Sequence, residues 1–165
     1  MDAPLVIAVN GMAAGAGLSL VASGDVVIAS EEAAFTCAYT AAGITPDGSS
    51  TYFLAKHVGL MRAKELVLTN RRLSAAEALE WGLVTRVVPA DQLLSEAHAL
   101  AAQFATGPTK AFGGAKRLLL SAYSGTLETQ LEDESSSITK QVKDHDGREG
   151  IEAFAARRKP EFKGS

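Results

Sequence analysis

The sequence predicts a mixed α/β protein whose strands are confined to residues 1–88 and whose remainder, 89–165, is helical. Three observations carry that reading. Leu5–Val9 is a short, wholly apolar run, too short for a buried helix and the right length for a buried strand. Val26–Ala29 and Leu83–Val88 are further runs rich in β-branched residues, each bounded by turn residues or proline. From Asp91 onward the apolar residues recur only at helical spacing.

Taken in order, the first strand leads into Asn10-Gly11, a turn dipeptide, and then into the small residues Ala13, Ala14, Gly15, Ala16 and Gly17. Leu18, Leu20 and Val21 follow, so the pattern reads strand, tight turn, helix opened by small residues. Missing side chains let something approach the backbone closely, and the first turn of a helix has unpaired N–H groups. Such a place stabilises negative charge, either a bound anion or an oxyanion formed during reaction. Close packing of a helix on a sheet selects the same small residues, and the pattern alone leaves both readings open.

Ala34–Tyr39 alternates large and small side chains and reads as a third, weaker strand. Gly43–Ser50 is a loop by every rule for turn residues. Two helices follow, carrying Tyr52, Phe53, Leu54 and Val58, then Met61, Leu66, Val67 and Leu68, with Gly59 between them. Ser74 and Glu77 have the spacing of a capping box, and Gly82 is placed to end that helix after Trp81. Asp91 is expected to cap a helix with Leu93, Leu94, Ala97 and Leu100 on its apolar face, broken at Gly107-Pro108. Helices to about Tyr123, from Leu127 to about Val142, and from about Asp146 through Phe154 and Arg157 complete the chain.

Composition removes several classes of function. Net charge is −3 and no basic run exceeds Arg157-Arg158-Lys159, which argues against a nucleic-acid partner. The single cysteine, Cys37, excludes an internal disulfide and fits a reducing, cytoplasmic compartment. No apolar run is long enough to cross a membrane, and no signal peptide is visible. His57, His98 and His145 are scattered, so no metal site is expected. The first strand begins almost at once and needs neighbours on both sides, so the chain reads as part of a larger sheet protein.

Asp47 is the sharpest candidate for chemistry, since it stands in a Gly/Pro/Ser-rich loop that leads into a helix; a helix cap is the alternative. Gly17-Leu18-Ser19 has the start of a nucleophile elbow, but Val21 replaces its closing glycine and Ser19 falls within the helix. Gly15-Ala16-Gly17 is not a dinucleotide fingerprint, because Leu20 stands where the third glycine belongs. His57 reads as a packed or surface histidine, and Arg157-Arg158-Lys159 as a solvated helix end that could also hold phosphate.

Asn10 through Leu20 resembles the signature of the crotonase superfamily, the enoyl-CoA hydratase/isomerase family. The resemblance continues through Gly43–Asp47, Leu68–Arg71, Ser74–Val84 and Arg148–Phe154, and so spans essentially the whole chain. It implies the last part of a ββα spiral core over 1–88, with N-terminal strands absent, followed by a helical trimerisation region over 89–165. It implies an acyl-CoA substrate, no cofactor beyond that coenzyme A, and a homotrimer or a pair of trimers. It also implies an N-terminal segment or chain that completes the fold. The amide of Ala16 becomes one of two oxyanion donors, a contact worth about 3 kcal/mol in other oxyanion holes. Gly15, Gly17, Ser19 and Tyr39 would line the acyl pocket, while Phe154 and Arg157 would close over coenzyme A.

The departures from the family pattern narrow the chemistry. Hydratases of the family use two glutamates, and Ser19 and Tyr39 stand at those positions, neither able to act as a carboxylate base. Asp47 instead matches the aspartate of the isomerases that shift a double bond or rearrange a ring epoxide. It also matches the nucleophile of 4-chlorobenzoyl-CoA dehalogenase. The implied activity is therefore an enoyl-CoA or ring-epoxide-CoA isomerase with Asp47 as acid and base. The alternatives are a dehalogenase or an inactive remnant.

Overall fold

A computed structural model describes residues Met1–Ser165. The chain divides into two compact units, Leu5–Ala99 and a second formed by Met1–Pro4 with Leu100–Ser165.

The first unit is mixed α/β and is built by repetition of one motif. Strand β1 (Val6–Val9) joins one sheet, β2 (Met12–Ala14) joins another, and helix α1 (Ala16–Ala22) returns the chain. The next turn repeats it with β3 (Val26–Ser30) and β4 (Ala34–Thr36). β3 lies parallel to β1, Val6 opposite Val26, and β4 lies parallel to β2, Met12 opposite Ala34. Helices α2 (Ser50–His57) and α3 (Leu60–Thr69) then lead to β5 (Leu73–Ser74), α4 (Ala75–Glu80) and β6 (Arg86–Val88). The sheets have the orders β1-β3-β6 and β2-β4-β5. Each turn of this spiral thus places one strand in each sheet. The core is a single cluster in which Leu18, Phe35, Leu54, Leu66 and Leu73 are fully buried.

Several sequence expectations are corrected. Asn10-Gly11 does not lead straight into a helix, because β2 intervenes, Met-Ala-Ala being too short and lacking the β-branched side chains that would give a strand signal. The third strand stops at Thr36: Ala38 is left-handed at φ +59°, so Tyr39 turns off the sheet into a 3-10 turn over Thr40–Ala42. The strand expected over Leu83–Val88 begins only at Arg86, since the amides of Leu83 and Val84 are drawn to the carbonyl of Ala78. Asp91 caps no helix but lies inside a 3-10 turn, Ala90–Gln92, ahead of α5 (Leu93–Ala105). The capping box forms as expected, Ser74 and Glu77 each satisfying the other's backbone amide.

The second unit is helical. It contains the end of α5 and all of α6 (Thr109–Ser121), α7 (Leu127–Gln141) and α8 (His145–Ala155). Helix α7 packs on α6, yet no residue of α7 is buried, and Leu127, Leu131 and Ile138 stand exposed. Arg157 is not on the last helix as expected. It follows α8 in a left-handed conformation, φ +54°, where a helix ends by turning its chain out of register. No helix in the chain is long and apolar enough to cross a membrane.

Candidate functional site

The small residues after β2 do what their size allows. Gly15 takes φ +53°, a conformation that penalises any side chain, and this sharp turn starts α1 at once. Its own amide is taken by the carbonyl of Thr36 at 3.2 Å. The first bond that closes the helix runs from Ser19 N–H to Gly15 C=O at 3.1 Å. The amides of Ala16 and Gly17 therefore stand in the opening turn with no acceptor in the chain, and Ala16 is exposed. A methyl group at Gly17 would meet nothing within 4 Å.

One turn further along α1, Ser19 is buried, and it meets two residues from distant parts of the chain. Its hydroxyl lies 3.3 Å from the phenol oxygen of Tyr39 and 3.0 Å from the backbone carbonyl of Asp47. Tyr39, only 9% exposed, donates its phenol proton to Oδ1 of Asp47 at 2.6 Å. The backbone carbonyl of Asp47 accepts a second hydroxyl, Ser50 Oγ at 2.9 Å, and the Ser50 amide at 3.2 Å. Asp47 itself is exposed, and its Oδ2 accepts no hydrogen bond from the chain. A buried framework thus carries an exposed carboxylate whose backbone and one oxygen are both anchored. Because the carboxylate accepts its proton, Tyr39 ionises at a higher pH than an ordinary phenol.

The structure brings Gly15, Ser19, Tyr39 and Asp47 together, with Ala16 and Gly17 on the helix that carries Ser19. Ser19 is in the helix with no histidine beside it; the ring of His57 bonds the carbonyl of Ala22 instead. Phe154 and Arg157 belong to the second unit, Phe154 largely exposed on α8 and Arg157 exposed just beyond it.

Sequence reasoning missed two supporting residues. Gly48, at φ +59°, lies where an added Cβ would stand 3.0 Å from Ser19 Cβ, so a side chain there would be strained and would push the Asp47 loop from α1. Ser50 is buried and ties the start of α2 to Asp47; its position three residues after Asp47 was the available signal. Beneath Tyr39, Thr36 and Thr40 bond to the end of α3 through the carbonyls of Asn70 and Val67. The side-chain amide of Asn70, the left-handed residue that ends that helix, donates to Thr40 at 2.5 Å. No three His, Cys, Asp or Glu side chains converge on a point where an ion could sit.

Comparison with known proteins gives concordant results. A family model described as enoyl-CoA hydratase/isomerase matches residues 1–165. The chain is 42% identical over 161 residues to 1,2-epoxyphenylacetyl-CoA isomerase of Escherichia coli strain K12, covering 98% of this chain and 62% of that protein. It is 35% identical over 172 residues to carnitinyl-CoA dehydratase of Salmonella typhi, covering 99% of this chain and 64% of the relative. Among solved structures, enoyl-CoA hydratase from Bacillus anthracis superposes with a TM-score of 0.92 at 35% identity, over 99% of this chain and 64% of that one. The chain thus spans just under two thirds of the length of these relatives, which differ in the activity named for them.

Proposed function

Because the chain belongs to the enoyl-CoA hydratase/isomerase family, we propose that it acts on an acyl-CoA thioester as an isomerase, with Asp47 as the acid and base. One observation carries this reading: an exposed carboxylate is fastened by Tyr39 and Ser19 to the helix whose first amides lack acceptors. The amide of Ala16 takes the thioester oxygen as negative charge develops on it, and the opening turn of α1 favours that charge. The Asp47 carboxylate removes a proton from the acyl chain, giving an enolate conjugated with the thioester. It then returns that proton to a different carbon, so the double bond moves and Asp47 regains its ionised form. A ring epoxide would be opened along the same enolate-forming path. Room over Gly17 suits the approach of the thioester, since nothing in the chain demands glycine there and alanine would favour the helix by about 1 kcal/mol. Gly15, Ser19 and Tyr39 form the wall behind the reacting carbons. No cofactor besides the coenzyme A of the thioester enters the scheme.

Replacing Asp47→Asn tests the proposal. It should lower turnover of an unsaturated acyl-CoA by roughly 10²–10⁴-fold, the share that general acid–base catalysis supplies, while thioester binding persists. Unchanged turnover removes Asp47 from the chemistry. Halide release from a 4-halobenzoyl-CoA would assign the carboxylate to nucleophilic attack instead.

A second reading is favoured by Ser19 and Tyr39, which stand where the family resemblance implies the glutamates of the hydratases. In it the chain keeps the fold and its contacts without activity. Turnover by this chain alone eliminates that reading. We further propose that the exposed apolar residues of α7 are covered in a homotrimer or a pair of trimers. Sedimentation at the mass of a single chain would contradict the assembly.

A further inference from the structure

We propose that Tyr39 is a positioning residue: its phenol fixes the carboxylate plane of Asp47 so that Oδ2, and not Oδ1, exchanges the proton with the acyl chain. The inference rests on the role given to Asp47 above. It starts from the difficulty of keeping an exposed acid still. Asp47 lies on a loop, with Gly48 and Ser49 both left-handed at φ +59° and +66°, and no other side chain touches its carboxylate with a hydrogen bond. A free carboxylate there would spread over several rotamers, and a reacting atom displaced by about 1 Å can cost about 10²-fold in rate.

Tyr39 removes that freedom because it is itself immobile. Its ring is almost wholly buried, its amide bonds the carbonyl of Cys37 at 2.8 Å, and its carbonyl accepts the amides of Ala42 and Ile44 at 3.0 and 3.1 Å. A phenol has one proton, and the 2.6 Å contact to a carboxylate is where it is best placed. Ser19 has the carbonyls of Asp47 and Gly15 as its own acceptors, so it does not compete for Oδ1. The raised ionisation of the phenol keeps the proton on Tyr39 across the neutral range, so the residue remains a donor throughout. Oδ1 is thereby committed, and Oδ2 is left as the one basic oxygen without a partner in the chain. A tyrosine serving only as an apolar wall would have no use for its hydroxyl, and phenylalanine would do as well.

The test compares Tyr39→Phe with wild type and with Asp47→Asn in this chain. With ¹³C-labelled aspartate, the two β-proton couplings of Asp47 should report a single side-chain rotamer in wild type and an averaged one in Tyr39→Phe. Turnover of an enoyl-CoA should fall about 10–100-fold through kcat, with KM little changed. A Tyr39→Phe chain that keeps its single rotamer, or keeps its kcat while Asp47→Asn loses it, overturns the positioning role. Retained turnover in Asp47→Asn sinks the acid itself, a separate result, and the rotamer measurement needs no turnover to decide the hydrogen bond's effect. If Tyr39→Phe does not fold, phenolate absorbance still decides: Asp47→Asn should bring the Tyr39 ionisation to lower pH, and an unmoved curve overturns the inference.

Discussion

Two aspartates, one in each compact unit, show what separates a carboxylate that builds from one that is available for chemistry. Asp146, in the first turn of α8, is buried, and both its oxygens are occupied. Oδ1 accepts the amide of Lys163 at 2.8 Å and lies 3.1 Å from the His145 ring, and Oδ2 accepts the amide of Gly164 at 2.7 Å. Burial pushes its pKa up, but these donors outweigh burial and hold it below the usual aspartate value. Asp47 is the reverse: exposed, one oxygen held by a rigid neighbour, the other unengaged. Both are aspartates close to a helix start, Asp146 within the first turn of α8 and Asp47 on the loop three residues ahead of α2. What separates them is burial and how many lone pairs the fold has already used.

The sharpest way to break this comparison is to remove each acid in turn. Asp47→Asn should cost the decades of turnover given above and leave the melting temperature nearly unchanged, because an exposed side chain with one partner contributes little to folding. Asp146→Ala should do the opposite within its own unit. It removes the acceptor of the Lys163 and Gly164 amides, at a cost of about 1 kcal/mol for each hydrogen bond lost. Thermal unfolding followed by circular dichroism checks both. A stable Asp146→Ala chain, or an Asp47→Asn chain that melts early, would show that occupancy of the lone pairs is not what divides the two roles.

How much of this was legible beforehand follows the same division between local and distant causes. The strands at Val6–Val9 and Val26–Ser30, the Ser74–Glu77 capping box and the helices beyond Leu93 are set by neighbours in sequence, and pattern finds them. Asp47 stood out because its loop chemistry is local too. The bond from Tyr39 was not legible, because it depends on Ala38 adopting φ +59°, a conformation alanine rarely takes and no propensity predicts. Gly48 against Ser19 likewise joins residues that only the spiral brings side by side. Strand β2 was missed because Met12-Ala13-Ala14 has no β-branched or aromatic side chain and forms a ladder only when β4 is there to receive it.

The smallest expected effect sharpens the structural side of the comparison. Beyond α8 the chain folds back as a strap, Arg158 gripping both oxygens of Glu149 at 2.6 and 2.8 Å and the Glu161 amide adding a third bond at 2.8 Å. The Arg158 guanidinium, and then that amide, hold Glu149 down from 4.5 to about 2. A carboxyl whose pKa is lower in the folded state contributes stability above its unfolded value and loses it as pH falls through the folded one. The strap should therefore stay closed at pH 5 and loosen as pH drops from about 4.5 to about 2. The shift of the Glu161 amide in ¹⁵N spectra should titrate near the bottom of that window, and Glu149→Gln should abolish the step. Because the Arg158 end of the pair is exposed, salt should raise the midpoint toward the ordinary glutamate value. A midpoint already near 4.5 at low salt would mean that Arg158 does not grip Glu149 in solution, leaving Asp146 as the only acid that holds the tail.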